Sequence, residues 1–325
     1  RGGDGGRARH PGWTALPRRV GATQRRRRGS MRRGVDVCGR NPQEVGMTDE
    51  QHPDLGRLGP LRGVAEALSL FTILPGPYLN DIDRPLARRA ITAFPWLGLC
   101  LGVVAGGIVA LVLGLGAGPW LAGVLALGWL AGATGGFHLD GVADTADGLG
   151  SRAAPEKALM IMKKSDIGPM GVMSIVLVLL VDAAAVVSLA GTAGSGAWWR
   201  VAILVGLGPA LARAAILLAT MTEVPCARPG GFGSLVAGVT TPRSAAINLT
   251  VLGCVCALAG LVAGGWMWCL VTVSCAALTL LIARGWIHHL VRRLSGMTGD
   301  TFGSINEVTQ MTFWVLTALT VAVVS

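Results

Sequence analysis

The sequence predicts an all-α fold, a polytopic transmembrane bundle of about seven helices with its N-terminus in the cytoplasm, and three observations carry that expectation. Hydrophobic residues make up 52% of the chain and charged residues only 14%, with a mean hydropathy of +0.57. A soluble domain carries about 25% charged residues, so lipid is the expected solvent. Seven runs approach the roughly 20 mainly apolar residues that a bilayer core requires. Lys and Arg concentrate in alternate connections between those runs, as the positive-inside rule demands.

From the N-terminus, residues 1–50 are expected to form a disordered tail rich in Arg and Gly, with no apolar period. Residues 1–46 hold 12 Arg against Asp4, Asp36 and Glu44, so the tail carries +9 of the net charge of +10. A basic arm of this kind could bind nucleic acid or anionic lipid. The chain opens on Arg, however, with Met31 and Met47 just downstream. The tail is therefore read as translated upstream sequence and set aside from the fold. The rest of the chain is nearly neutral, and no nucleic-acid partner is expected.

The membrane domain is expected over 55–325. It opens with an interfacial helix at 61–74, where Leu61, Ala65, Leu68, Phe71 and Ile73 precede Pro75. The spans are expected at 91–115, 119–138, 171–191, 198–220, 247–264, 265–287 and 308–325. Gly102 with Gly106, and Gly260 with Gly264, have the spacing that lets membrane helices approach closely. One set of connections carries Arg84, Arg88 and Arg89, then Arg152, Lys157, Lys163 and Lys164, then Arg228 and Arg243, then Arg284, Arg292 and Arg293. The alternate connections near 116–118, 192–197 and 264–265 carry none, and Arg200 is the one basic residue near that side. The first set is therefore cytoplasmic, and the polar segments 139–170, 221–246 and 288–307 can converge on one site. The seven cysteines form no C-x-x-C pair, and four of them lie within apolar runs, so neither a disulfide framework nor a zinc site is expected.

Three elements carry chemistry. In the run 137–148, Asp140, Asp144 and Asp147 stand at i, i+4 and i+7, one face of a helix. Three carboxylates at that spacing repel one another, which a hard cation such as Mg²⁺ would relieve. The bland alternative is a solvated acidic loop. In the second element, 158–171, Lys163, Lys164 and Ser165 could contact phosphate oxygens, although anchoring at the membrane surface needs only their charge. The third, 296–307, brings Asp300, Asn306 and Glu307 to the entry of the last span. It could supply a second metal ligand set or a base for an attacking hydroxyl. As an alternative, Asp300 would simply cap that helix. Arg228, among Gly230, Gly231 and Gly233, suits a phosphate; Asp182 and Arg213 within spans are functional candidates or a mutual pair. His138 could be a ligand or a proton carrier, though an interfacial His is more often only hydrogen-bonded.

These residues resemble the cobalamin synthase (adenosylcobinamide-GDP ribazoletransferase) family. The resemblance runs from about Leu61 to the C-terminus and rests on 137–148 (FHLDGVADTADG), 162–171 (MKKSDIGPMG), 298–307 (TGDTFGSINE) and the turn 71–75. It implies a polytopic membrane enzyme that requires Mg²⁺ and joins adenosylcobinamide-GDP to alpha-ribazole or its 5′-phosphate, releasing GMP. Asp140, Asp144 and Asp147 would be the acidic metal motif, and Asp300, Asn306 and Glu307 the second motif. One departure is a charge exchange at Lys164 and Asp166 relative to the family pattern. The expected partners are these small molecules and the lipid bilayer, with a homo-oligomer left open.

Two other readings compete. The stretch 144–152 almost reproduces the opening of the CDP-alcohol phosphotransferase motif, but Ile161 stands where that pattern needs Gly. A cation or solute transporter would place its acids near the bilayer midplane and repeat its halves, and neither pattern is evident. A plain assembly scaffold would tolerate acid-to-amide changes.

Overall fold

A computed structural model of the chain describes residues 58–59, 61–79, 81–192 and 196–324. The expectation of a disordered 1–50 tail falls outside these residues. Among them, eleven helices and two isolated bridges make up the regular structure, and no strand forms. The all-α expectation is met.

The elements are α1 (Arg62–Phe71), α2 (Arg84–Gly114), α3 (Pro119–Ala133), α4 (Phe137–Gly150), α5 (Pro155–Ile161), α6 (Pro169–Thr192), α7 (Trp198–Ala219), α8 (Gly231–Val236), α9 (Pro242–Gly264), α10 (Trp266–Leu294) and α11 (Gly299–Val324). Five of them, α2, α6, α7, α9 and α10, are long and apolar enough to cross a membrane. The count rises to six if α3 and α4, bent by 90°, form one broken span. This differs from the expected seven. The described part of the seventh run, 308–324, lies in α11, whose first half carries Asp300, Asn306, Glu307 and Gln310.

The straight span expected at 119–138 is corrected. Its helix ends at Ala133, and 15 residues rise only about 22 Å, short of a hydrocarbon core of about 30 Å. Gly135 and Gly136 then take positive φ of 62° and 74°, a conformation that glycine reaches without steric cost, and α4 leaves at the bend.

The central column is α7, with 83% of its most apolar stretch buried against 28–44% for the other four spans. Helix α2 lies on it backbone to backbone. A methyl group at Gly98, Gly102 or Gly106 would strike the carbonyl of Pro209, Gly206 or Ala202. The Gly102 and Gly106 expectation is thus met, and Gly98 extends the stripe by one turn. Gly260 and Gly264 receive the α10 residues Thr272 and Trp268 in the same way. On the outer surface, Val103, Leu125, Leu180, Leu258 and Leu281 are exposed on different helices, an apolar exterior suited to lipid. The chain is a multi-pass membrane protein.

The two ends of the bundle differ. Trp120, Trp198, Trp199, Trp266 and Trp268 begin α3, α7 and α10 at one end, where the Arg200 guanidinium lies 5.4 Å and 5.7 Å from the Trp199 and Trp268 rings. Interfacial tryptophans of this kind mark a membrane boundary. The polar segments meet at the other end. There Met297 N donates to Pro225 O (2.9 Å), Ala227 N to Met297 O (2.9 Å) and Arg84 to Ala237 O (2.8 Å). Helix α1 packs beside them, held by Glu66, whose buried carboxylate accepts from Arg62 at 2.9 Å and Arg89 at 2.7 Å.

Candidate active site

Helix α4 divides into two faces. His138, Gly141, Val142, Thr145 and Gly148 are buried, while Asp140 is exposed and Asp144 and Asp147 are half-buried on the opposite side. The i, i+4, i+7 spacing therefore produces the expected acidic face. Asp140 also sits in the first turn, where the helix dipole favours a negative charge.

Helix α11 supplies the fourth carboxylate. Thr298 caps it by accepting from Thr301 N at 3.3 Å, while Thr301 Oγ1 accepts from Thr298 N at 2.9 Å. Asp300 is therefore not the cap, and its carboxylate is left for the site. The two helices touch through glycine: a methyl at Gly141 would collide with the Asp300 carbonyl, and one at Gly303 would lie 2.8 Å from the His138 carbonyl. No larger residue at either position would let the acidic turns come this close.

Arg228 joins the group from the connection after α7. Its Nη2 lies 3.5 Å from Asp300 Oδ2, and its Nη1 reaches Leu159 O of α5 at 3.5 Å. Arg228 is thus a cation that acts on both Asp300 and Asp144. Burial, followed by repulsion from Asp140, Asp300 and Asp147, pushes the Asp144 carboxyl up to about 7. Burial also raises Asp300, against the opposing pull of Arg228. Among the described residues, however, no three His, Cys, Asp or Glu side chains converge closely enough to enclose a metal ion.

Asp147 has a second task. Its carboxylate accepts from Gly168 N at 2.6 Å and Gly171 N at 2.9 Å, so it caps the start of α6 from another helix. A methyl at Gly168 or Gly171 would run into that carboxylate, which explains glycine at both positions. Replacing Asp147 by Ala strands both amides. The expected result is a loss of about 1–3 kcal/mol in unfolding free energy, measured by denaturant titration in detergent.

The other sequence candidates lie apart. Lys163, Lys164 and Ser165 occupy an exposed turn after α5. Asn306 and Glu307 are buried behind α4: Asn306 Nδ2 donates to Glu307 Oε1 at 3.1 Å and lies 3.3 Å from His138 Nδ1, which is itself 3.7 Å from Glu307 Oε1. Asp182 and Arg213 do not pair. Asp182 accepts from Gln310 at 3.3 Å, while Arg213 donates to Pro209 O at 3.1 Å and stacks over Phe94 at 5.5 Å.

Sequence reasoning missed a cavity of about 270 Å³ beside the acidic group. Asp140, Asp300 and His138 form its polar edge, and the rest of its wall is apolar and largely aromatic. Its residues come from distant elements, so no local pattern announces it.

The family described as cobalamin-5-phosphate synthase matches residues 63–318. An adenosylcobinamide-GDP ribazoletransferase of Frankia casuarinae is 36% identical over 270 residues, 78% of this chain and 94% of that protein. Proteins of the same description from Brevibacillus brevis and a Roseiflexus species are 32% and 35% identical, covering 74% and 78% of this chain and 91% and 88% of their own. No solved structure matches. The match extends through both acidic helices and every apolar span, and on that ground the chain belongs to the cobalamin-5-phosphate synthase family.

Proposed function

We propose that this chain is a magnesium-dependent adenosylcobinamide-GDP ribazoletransferase that works at the cytoplasmic membrane with its site facing the cytoplasm. It joins adenosylcobinamide-GDP to alpha-ribazole or its 5′-phosphate and releases GMP. The observation that carries this reading is the meeting of Asp140, Asp144, Asp300 and Arg228, from three separate segments, at the edge of an aromatic cavity. The orientation rests on Lys and Arg at the acidic end and the tryptophans at the other.

In the reaction, the ribazole hydroxyl oxygen forms a bond to the cobinamide-side phosphorus. The bond from that phosphorus to the oxygen of the GMP phosphate breaks, and GMP leaves with the electron pair. Asp300, lifted by burial, is placed to take the hydroxyl proton. Arg228, beside it, is placed to hold a phosphate oxygen. Glu307 sits two turns deeper, behind His138, away from that edge.

Asp140, Asp144 and Asp147 are the residues to hold magnesium. The donor set fits, since Mg²⁺ is usually bound by one or two carboxylates with substrate phosphates completing its shell, so three convergent protein ligands are not required. When bound, it would neutralise charge on the departing phosphate. Proton and metal then compete at Asp144. A metal ligand must be deprotonated, so below about pH 7 the magnesium concentration for half-maximal rate should rise by up to about tenfold per pH unit. Above pH 7 it should level off. A requirement independent of pH between 5 and 7 would remove Asp144 from the metal site.

The direct test is GMP release by purified protein given adenosylcobinamide-GDP and alpha-ribazole, with and without Mg²⁺. Metal-dependent GMP is the expected result. No GMP from folded protein would overturn the proposal and favour the CDP-alcohol or transporter readings.

A further inference from the structure

Phenylalanine is scarce in this chain, six in 325 residues. Five of the six, Phe71, Phe94, Phe137, Phe232 and Phe302, line the cavity beside the acidic edge. They come from α1, α2, α4, α8 and α11, so the concentration arises only in the folded chain. Three of the rings pack around Phe71, which lies 4.3 Å from Phe94, 5.6 Å from Phe232 at 83°, and 6.5 Å from Phe137 between centroids. Phe71, Phe94 and Phe302 are buried, but Phe137 is 41% exposed and Phe232 half-buried, so two of the five rings remain accessible at the cavity. Apolar aromatic walls with a few polar groups on one side are the usual make-up of a small-molecule site.

We infer that this cavity seats the aromatic base of the acceptor nucleoside, the methylated benzimidazole of alpha-ribazole, with its ribose at the Asp140–Asp300 edge. The inference rests on the ribazoletransferase reading above. The guanosine and the ribazole are the two nucleosides beside the reacting phosphorus, and the polarity of their bases separates them. Guanine carries donors and acceptors around its rim, and in a phenylalanine-lined cavity most would lose water without gaining a partner. The dimethylbenzimidazole presents two methyl groups and a largely apolar edge, which such walls accept. Placing the base among the rings brings the sugar hydroxyls toward the carboxylates, where one of them must lose its proton.

Steady-state GMP release, with each substrate varied in turn, tests this in wild-type protein and in the variants Phe232→Ala, Phe232→Tyr and Gly299→Val. Loss of a stacking ring in Phe232→Ala should raise KM for alpha-ribazole by about tenfold, with kcat and KM for adenosylcobinamide-GDP nearly unchanged. Phe232→Tyr restores the ring and should restore KM. Gly299 also lines the cavity, and a methyl there meets nothing within 4 Å, so Gly299→Val adds bulk to the cavity at a position with open space for its Cβ. It should raise KM for alpha-ribazole more than for the riboside of unmethylated benzimidazole. An unchanged alpha-ribazole KM in both Phe232→Ala and Gly299→Val, or a rise confined to adenosylcobinamide-GDP, overturns the inference while the transferase reading stands. No GMP from the wild type overturns that reading and this inference with it.

Discussion

Asp144→Asn is expected to lower GMP release by at least about 10³-fold at saturating Mg²⁺, with the helical fold intact. Asp144 stands at the centre of the group, and Asp140, Asp300 and Asp147 all press on its charge. The amide is nearly the same size and removes that charge without opening a cavity. On the proposed magnesium-dependent reading, its loss removes a metal ligand and the electrostatic stabilisation that depends on it, worth several kcal/mol. Thermal unfolding of the metal-free variant gives an independent check. A carboxyl raised by the fold from 3.8 to about 7 makes the metal-free protein lose stability as pH rises between those two values, because the unfolded chain releases a proton that the native state still holds, and the loss levels off above about 7. Metal-free Asp144→Asn should accordingly be more stable than wild type at pH 8 and no more stable at pH 4. Normal turnover in the variant would show that the site does not depend on Asp144.

Gly141→Val should cost about 10²-fold in turnover while leaving most helix content in place. The added side chain has nowhere to go, since even one carbon at Gly141 meets the Asp300 carbonyl and the Gly303 Cα. Relief comes only by moving α4 away from α11, which parts Asp140 and Asp144 from Asp300. Circular dichroism and GMP release measured together separate this from unfolding. Retained activity would mean that the Gly141–Gly303 contact does not set the spacing of the carboxylates.

Periodicity made the acidic face of α4 legible, because the i, i+4, i+7 rule is local and α4 is a regular helix. Charge alternation likewise foretold that 139–170, 221–246 and 288–307 meet at one end. Where the same reasoning fell short, the cause was three-dimensional. Asp300 and Glu307 share a face of α11, yet seven residues of rise put Glu307 about 10 Å deeper, among His138 and Asn306. Asp147 reads only as one more ligand, and nothing local shows that its oxygens also accept from the amides of Gly168 and Gly171. The break at Gly135–Gly136 was hidden because hydropathy averages over a window and does not register two positive φ angles. Five phenylalanines spread from position 71 to 302 give no pattern along the chain.

The right-angle turn after α3 has a consequence for how substrates arrive. Had the helix continued straight, its 14-residue extension to Asp147 would have risen about 21 Å along the line of α3, with each carboxylate at a different height. Folded over, Asp140, Asp144 and Asp147 lie along a helix perpendicular to that line, so where α3 runs along the bilayer normal their chemistry falls in a thin layer parallel to the bilayer. A substrate that partitions into the headgroup region can then be collected sideways, by a search in two dimensions, and its reacting phosphorus need not change depth between capture and reaction.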